Sequence, residues 1–592
     1  MDPTTPTTAA ERALFAAAHA GEECDLRTAR ERTDQGWAPT AADAADWGED
    51  RVVRADFLRH LLVDQQLVVH LTGARIDGNL DLSGQHLALS LPGCVLTGAA
   101  GFDKVTFTGT AWFGGATFTG VAGFNEATFT GDAKFNEATF TGDAMFGGAT
   151  FTGTAGFNEA TFTGIAWFGE ATFTGDAWFG EATFTGTAWF GEATFTGDAW
   201  FDEVTFTRRA KFGGATFTGI AWFGEATFTG KAEFDEATFT GKAEFDEATF
   251  EQLDWSGTWW STSRVSTTGL AAKRFVLDRV VFESPVRLDV KADAVSARGL
   301  RAAQRLHLVV AAAAMDLTDA DLAAGSLIEA APVTASDPPS VRRASISSLR
   351  RAHVAGVTLS GLAVRECTFA AVDGLDGLVI TGTDVLASNR DHTRRGSARG
   401  RRWWRADRRV IRDELDARTP APTGQPEPAE PLSLRDVSAT YRALRKALED
   451  NKDEPGAADF YYGEMEMRRL AAPSWSVERW LLTAYWLVSG YGLRAWRALA
   501  TLLVVIAVAG WCFTNSAWVR PSPAGTTPVL DPDSRVWPWA FAAQETVALF
   551  RPAGTIGVTL VGAGVAVDLA VRILGPALLA LAVLAIRNRT KR

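Results

Sequence analysis

Residues 111–132 read A-W-F-G-G-A-T-F-T-G-V-A-G-F-N-E-A-T-F-T-G-D, and their eleven-residue unit, A-x-F-x-x-A-T-F-T-G-x, runs on to Phe250. Phenylalanines fall at 113, 118, 124, 129, 135 and 140, with spacings of five and six alternating through Phe245 and Phe250. Two residues before almost every Phe stands an alanine (Ala111, Ala116, Ala122, Ala127), with Val204 the exception. A short fixed period marks a solenoid, whose units bury their apolar faces only by stacking on neighbours. A helix is a poor reading, because each unit holds a β-favouring T-F-T and a helix-weakening glycine.

In an extended chain, Ala and Phe two apart point to one side and the residue between them points out. The interior then alternates small and large side chains, with Phe on the axis and Ala leaving it room. Gly120, Gly131 and Gly142 are expected to supply corners that need unusual backbone angles. This pattern resembles the pentapeptide-repeat family in a Phe-rich form with an extra residue at alternate corners. The resemblance implies a mainly β fold, a right-handed quadrilateral β-helix. One coil would take two elevens, so residues 22 apart lie above one another at about 4.8 Å.

The chain has 592 residues, more than one core accommodates, so several domains are expected. Residues 100–251 carry 7 basic and 21 acidic side chains, a net of −14, which accounts for the whole-chain net charge of −12. Cys24, Cys94, Cys367 and Cys512 are scattered without C-x-x-C or ligand spacing, so no disulfide framework, metal site or cofactor is expected, and reducing surroundings fit. The opening M-D-P-T-T-P-T-T-A-A-E-R-A-L has no basic region followed by an apolar run, and no signal peptide is expected.

Residues 1–65 read as a helical cap. Thr7 or Thr8 caps a first helix with Glu11 in its first turn, and a second is expected from Glu49 to Val63. The wording W-G-E-D-R-V-V-R-A (Trp47 to Ala55) and L-T-G-A-R-I-D-G-N-L-D-L (Leu71 to Leu82) resembles the start of a group of bacterial membrane-associated pentapeptide-repeat proteins. The β-helix is assigned to 66–385, most regular over 100–250, with insertions expected at 252–274 and 329–343. Cys367 takes a small inward position in it.

A basic run then a Pro-rich linker fill 386–434. Arg401, Arg402, Trp403, Trp404 and Arg405 are candidates for a lipid-surface contact, with nucleic acid and a plain solvated linker as the other readings. Residues 435–497 read as a helical hairpin joined at Asn451–Gly456, similar to a single tetratricopeptide-type pair, and an interfacial helix over Trp480–Leu493. Glu464 and Glu466 are expected to face solvent. The hairpin wording, Y-R-A-L-R-K to E-M-E-M-R-R, resembles the segment preceding the membrane part of the same bacterial group.

Residues 498–592 read as a two-span transmembrane region. Ala498–Val519 holds 22 residues without a charge, and Leu569–Ile586 is interrupted only by Arg572, four residues from Asp568. Arginines cluster before the first span and after the second, which places both ends and the β-helix in the cytoplasm, at the inner membrane of a bacterium.

V-S-G-Y-G (Val488 to Gly492) spells most of a potassium-filter sequence but precedes the first span. The loop in the right place leads from a short pore-type helix at Trp537–Leu549 to a candidate pore loop, Thr555, Ile556 and Gly557. This layout resembles two-span channel pores. No nucleophile elbow, phosphate loop or H-E-x-x-H occurs, so no enzyme and no catalytic residue is expected. T-x-T columns resemble ice-binding arrays, a reading that a membrane anchor argues against.

The outward positions carry the candidate interaction surface: Trp167, Trp178, Trp189, Trp200 and Trp222, expected in columns, with Glu170, Glu181 and Glu192. The expectation is a non-catalytic, membrane-anchored scaffold with an unidentified protein partner. One alternative is the regulatory domain of a channel-like homo-oligomer. A second is a DNA-mimicking topoisomerase-binding protein, and nucleic acid itself is not expected as a partner.

Overall fold

The computed structural model describes residues 4–33, 37–332, 344–382, 386–388, 408–418, 432–515, 517–521, 536–547 and 558–590. The chain divides into two units, Met1–Leu386 and Ala387–Arg592.

The first unit is a parallel β-solenoid. Two-residue strands pair in register with strands 22 residues on, as in Thr117–Phe118 with Thr139–Phe140. Ladders of 11 and 12 strands make two sides, and the remaining strands make the other two. Inside, four phenylalanine columns run along the axis. In one of them Phe113, Phe135, Phe157 and Phe179 stack at 4.9–5.0 Å with planes within 8°. Neighbouring columns meet edge to face, as Phe168 meets Phe179 at 5.4 Å and 88°, an arrangement favoured by the ring quadrupole. The inward alanines are buried throughout, which closes the packing around the rings.

The corners correct the glycine expectation. Gly120, Gly131 and Gly142 are not left-handed; that conformation falls at ten glutamates from Glu126 to Glu247 and at Gly115, Gly148 and Gly214, which occupy the same repeat position. The T-F-T-G glycines are needed for close approach instead. A Cβ on Gly120 would lie 2.7 Å from the carbonyl oxygen of Gly98 one coil away. The threonine before each of these glycines turns its hydroxyl inward along the coil: Thr163 Oγ1 donates to the Phe140 carbonyl at 3.0 Å and to that of Thr141 at 2.8 Å. In most T-x-T pairs one of the two hydroxyls is thereby committed to the backbone.

Residues 252–274 are not an insertion. Leu253 and Trp255 replace an Ala–Phe rung, as do Thr258 and Trp260, all buried. Trp260 stacks on Phe239 at 4.0 Å and donates its indole hydrogen to Thr258 Oγ1 at 2.8 Å. Beyond it the coil shortens to 20 residues, as Val281 pairs with Arg301, and the strands lengthen to Val286–Ser296 and Leu306–Asp316. Of the expected insertion at 329–343, residues 333–343 lie outside the described residues. Met315 pairs with Ile346, about ten residues more than a coil.

The cap is partly β. Helix Ala9–Ala20 carries the Thr8–Glu11 capping box. The helix expected from Glu49 begins only at Ala55, because Val52–Arg54 pairs with Arg75–Asp77 and Cys24–Asp25 pairs with Leu71–Thr72. The cap thus supplies the rung that covers the first coil. Glu11 is buried against Arg54 at 2.8 Å. Burial alone would raise its carboxyl, but hydrogen bonds from Arg54 and Thr7 outweigh burial and hold it at about 2.

In the second unit, helices Leu434–Asp450 and Glu454–Ala471 form the hairpin, with Tyr441, Leu444 and Phe460 in its core. Glu464 does not face solvent: it is buried, 2.9 Å from Arg442 and 3.4 Å from Arg445. Glu466 meets Arg469 at 2.9 Å and accepts from Tyr491 at 3.0 Å. Arg408, at the end of the basic run, is likewise buried, donating to Glu414 beside Tyr441. The filter-like segment is a turn: Gly490 caps helix Val477–Ser489 and Tyr491 is left-handed at φ 59°.

Helices Ala495–Phe513 and Ala563–Thr590 pack together and on the short helix Trp537–Glu545. Phe513, Phe541, Trp537 and Val571 share one core. Both long helices contain stretches long and apolar enough to cross a membrane, and about 33% and 28% of those stretches is buried. Arg572 pairs with Asp568 at 3.0 Å, as its spacing allowed, and also with buried Glu545 at 2.9 Å.

Candidate interaction surface

The repeat places one outward side chain between each Ala and Phe, and the register stacks these into columns. One column reads Trp112, Lys134, Gly156, Trp178, Trp200, Trp222, Glu244. On an alternate side another reads Gly123, Met145, Trp167, Trp189, Lys211, Glu233. The tryptophans singled out from the sequence therefore fall into two stripes, of three and of two.

The two stripes differ. Trp167 and Trp189 lie stacked at 4.6 Å and 15°, with Lys211 Nζ 3.9 Å above the Trp189 ring. They lie flat on the coil, because a Cβ on Gly169 would come within 3.0 Å of Trp167 Nε1 and 3.2 Å of Trp189 Cδ1. This explains why the residue two beyond these tryptophans is glycine, whereas Gly123 and Gly156 are followed by Asn125 and Asn158. Those amides serve the next coil, as Asn158 Oδ1 accepts from the Gly180 amide at 3.0 Å. In the second stripe Trp200 and Trp222 have centroids 3.5 Å apart, tilted by 35°, and Trp178 is 40% exposed.

The carboxylates are set by the left-handed corners. There the amide reaches the next coil, as Glu181 N–H donates to the Asp202 carbonyl at 3.0 Å, and the side chain is left outside. Glu181, Glu203 and Glu225 form one exposed corner file beside Trp178, Trp200 and Trp222. Glu170 and Glu192 lie on the corner that follows Trp167 and Trp189, a file broken by Gly148 and Gly214. In the unbroken file, burial and the neighbouring charge of Glu159 push the Glu137 carboxyl up. Sequence reasoning missed Lys211, whose place is visible only once coils are counted in steps of 22.

The other candidates are not brought to a site here: Arg401, Arg402, Trp403, Trp404 and Arg405, and Thr555, Ile556 and Gly557, lie outside the described residues. Among the described residues no cluster of His, Cys, Asp and Glu is arranged to hold a metal.

The family model for pentapeptide repeats, in nine copies, matches residues 113–161, 157–205, 190–238 and 212–259. No curated protein and no solved structure matches the chain. Residues 113–259, the regular coils of the solenoid, therefore belong to the pentapeptide-repeat family.

Proposed function

We propose that the chain is a non-catalytic scaffold that presents its acidic, tryptophan-lined solenoid at the cytoplasmic face of a bacterial membrane. The observation that carries this reading is the solid interior: ring stacks fill the axis of the regular coils, so chemistry is available only on the outer sides. Helices Ala495–Phe513 and Ala563–Thr590 would be the anchor, since each leaves a broad apolar surface that includes Leu503, Val508, Leu569 and Ile573. Arg468, Arg469, Arg479 and Arg494 before the first, Arg497 in its first turn, and Arg587 and Arg589 at the end of the second with Lys591 and Arg592 after it, favour both ends on the cytoplasmic side. Alkaline carbonate extraction of membranes from expressing cells tests the anchor. The full chain is expected in the pellet, released by detergent; recovery in the supernatant would exclude anchoring and leave the DNA-mimic reading.

One observation favours a channel-like oligomer as a second reading. Arg572 with Glu545 and Asp568 is a charged cluster inside the apolar helices, and such groups in membrane segments commonly serve transport. Currents in reconstituted bilayers that respond to changes at Thr555–Gly557 would support it.

A further inference from the structure

We propose that the Trp178–Trp200–Trp222 stripe and its flanking carboxylates bind a cationic polyproline-II segment carrying arginine at every third residue. The proposal rests on the scaffold reading and gives its partner a chemistry.

The first argument is exclusion. Every strand of this stripe is paired on both sides by neighbouring coils, so no free edge is offered for an added strand. A partner here meets side chains only. Those side chains are indole rings flanked by Glu181, Glu203 and Glu225 on one corner and Asp176 and Asp198 on the other. Both aspartates already accept one backbone amide from the next coil, through Oδ1 at 3.0 and 2.8 Å, which fixes their orientation.

An aromatic face between carboxylates selects a cation, and a planar guanidinium gains most because it stacks and pairs at once. The solenoid already shows the contact. Lys211 sits 3.9 Å over Trp189, and Lys134 lies 5.9 Å from Trp112 in the same column as the stripe.

Spacing then selects the backbone. The coils themselves repeat at about 4.9 Å, as the interior stack of Phe179 on Phe201 shows. The Trp200 and Trp222 rings lean to 3.5 Å, but the backbone positions that carry Trp178 and Trp222, two coils apart, repeat at about 9.8 Å. A polyproline-II chain returns a side chain to one face every three residues, or about 9.3 Å. A β-strand returns it at about 6.7 Å and an α-helix after seven residues at about 10.5 Å. The polyproline-II period is the nearest of the three to two coils.

The test is fluorescence anisotropy with the full chain in detergent and labelled (Arg-Pro-Pro)4, against (Glu-Pro-Pro)4 and a peptide of equal composition with irregular arginine spacing. Saturable binding that prefers the regular arginine peptide is expected. Trp178→Leu with Trp222→Leu should weaken it about tenfold. Glu181→Gln/Glu203→Gln/Glu225→Gln should weaken it several-fold, whereas Glu126→Gln/Glu170→Gln/Glu192→Gln, on the corner that follows Trp167 and Trp189 and away from the stripe, should leave it within twofold. Equal losses from both glutamate triples would show that net charge alone binds the peptide and would overturn the proposal, as would indifference to arginine spacing or no binding. Because the glutamine variants keep the coil backbone, a misfolded tryptophan variant would not obscure the result. Membrane-pelleted chain that binds a protein partner but ignores the peptide would sink this inference and leave the scaffold reading standing.

Discussion

Replacing Gly164 by alanine should damage the solenoid more than replacing Gly148, although only Gly148 has a positive φ, at 63°. A Cβ on Gly164 would lie 2.6 Å from the Gly142 carbonyl oxygen, 2.7 Å from its carbon and 2.8 Å from Asp143 Oδ1. Two of those atoms are backbone and cannot rotate away, so the coils must separate locally. Overpacking of this kind costs about 2 kcal/mol or more, which is about a 30-fold loss in the local opening equilibrium. At Gly148 the nearest foreign atom is Glu126 Cγ at 3.6 Å, which leaves only the left-handed penalty of about 1 kcal/mol. Ten glutamates already tolerate that conformation. Unfolding of a solenoid is not all-or-none, so hydrogen exchange over residues 141–187 is the suitable assay. Greater loss of protection in Gly148→Ala than in Gly164→Ala, or none in Gly164→Ala, would refute the close-approach account.

Phe179→Ala should cost about 3–5 kcal/mol in the coils around it, because it removes a ring stacked at 4.9 Å on both Phe157 and Phe201; exchange should rise there and stay unchanged near Leu82. Burial pushes the Cys94 thiol up to about 12, and burial with Asp25 and Glu23 pushes Cys24 up to about 11, so at pH 8 neither should react with a thiol reagent until the chain is denatured. Glu11 contributes stability that is present above its unfolded value of 4.5 and lost as pH falls towards about 2, on the order of 3 kcal/mol. Acid titration should therefore open the cap across that window, and Glu11→Gln should flatten the response.

Legibility followed how local the cause was. The Ala–Phe rungs, the Trp columns and the Asp568–Arg572 pair each follow from a fixed spacing, so counting residues placed them. The left-handed corners did not show, because glutamate does not advertise that conformation and the glycines drew attention to the wrong position. Trp255 and Trp260 looked like an interruption because two tryptophans replace phenylalanine and threonine replaces an alanine; only the pairing of Thr238 with Trp259 reveals the rung. The Val52–Arg54 strand, the burial of Glu464 and the Glu545–Arg572 pair depend on partners 23, 22 and 27 residues away. No period links those positions. The stripes were visible in outline, but the flat seating of Trp167 and Trp189 needed the glycines beneath them.

Impermeant maleimide labelling of intact cells tests the central claim most directly, in a Cys512→Ser chain, since Cys24, Cys94 and Cys367 are buried. Ala517→Cys, exposed beyond the first apolar helix, should label from outside, and Glu181→Cys on the solenoid should label only after the cells are opened. Labelling of Glu181→Cys in intact cells, or failure of Ala517→Cys to label there while it labels in lysed cells, would contradict a solenoid held at the inner face of a membrane by these two helices.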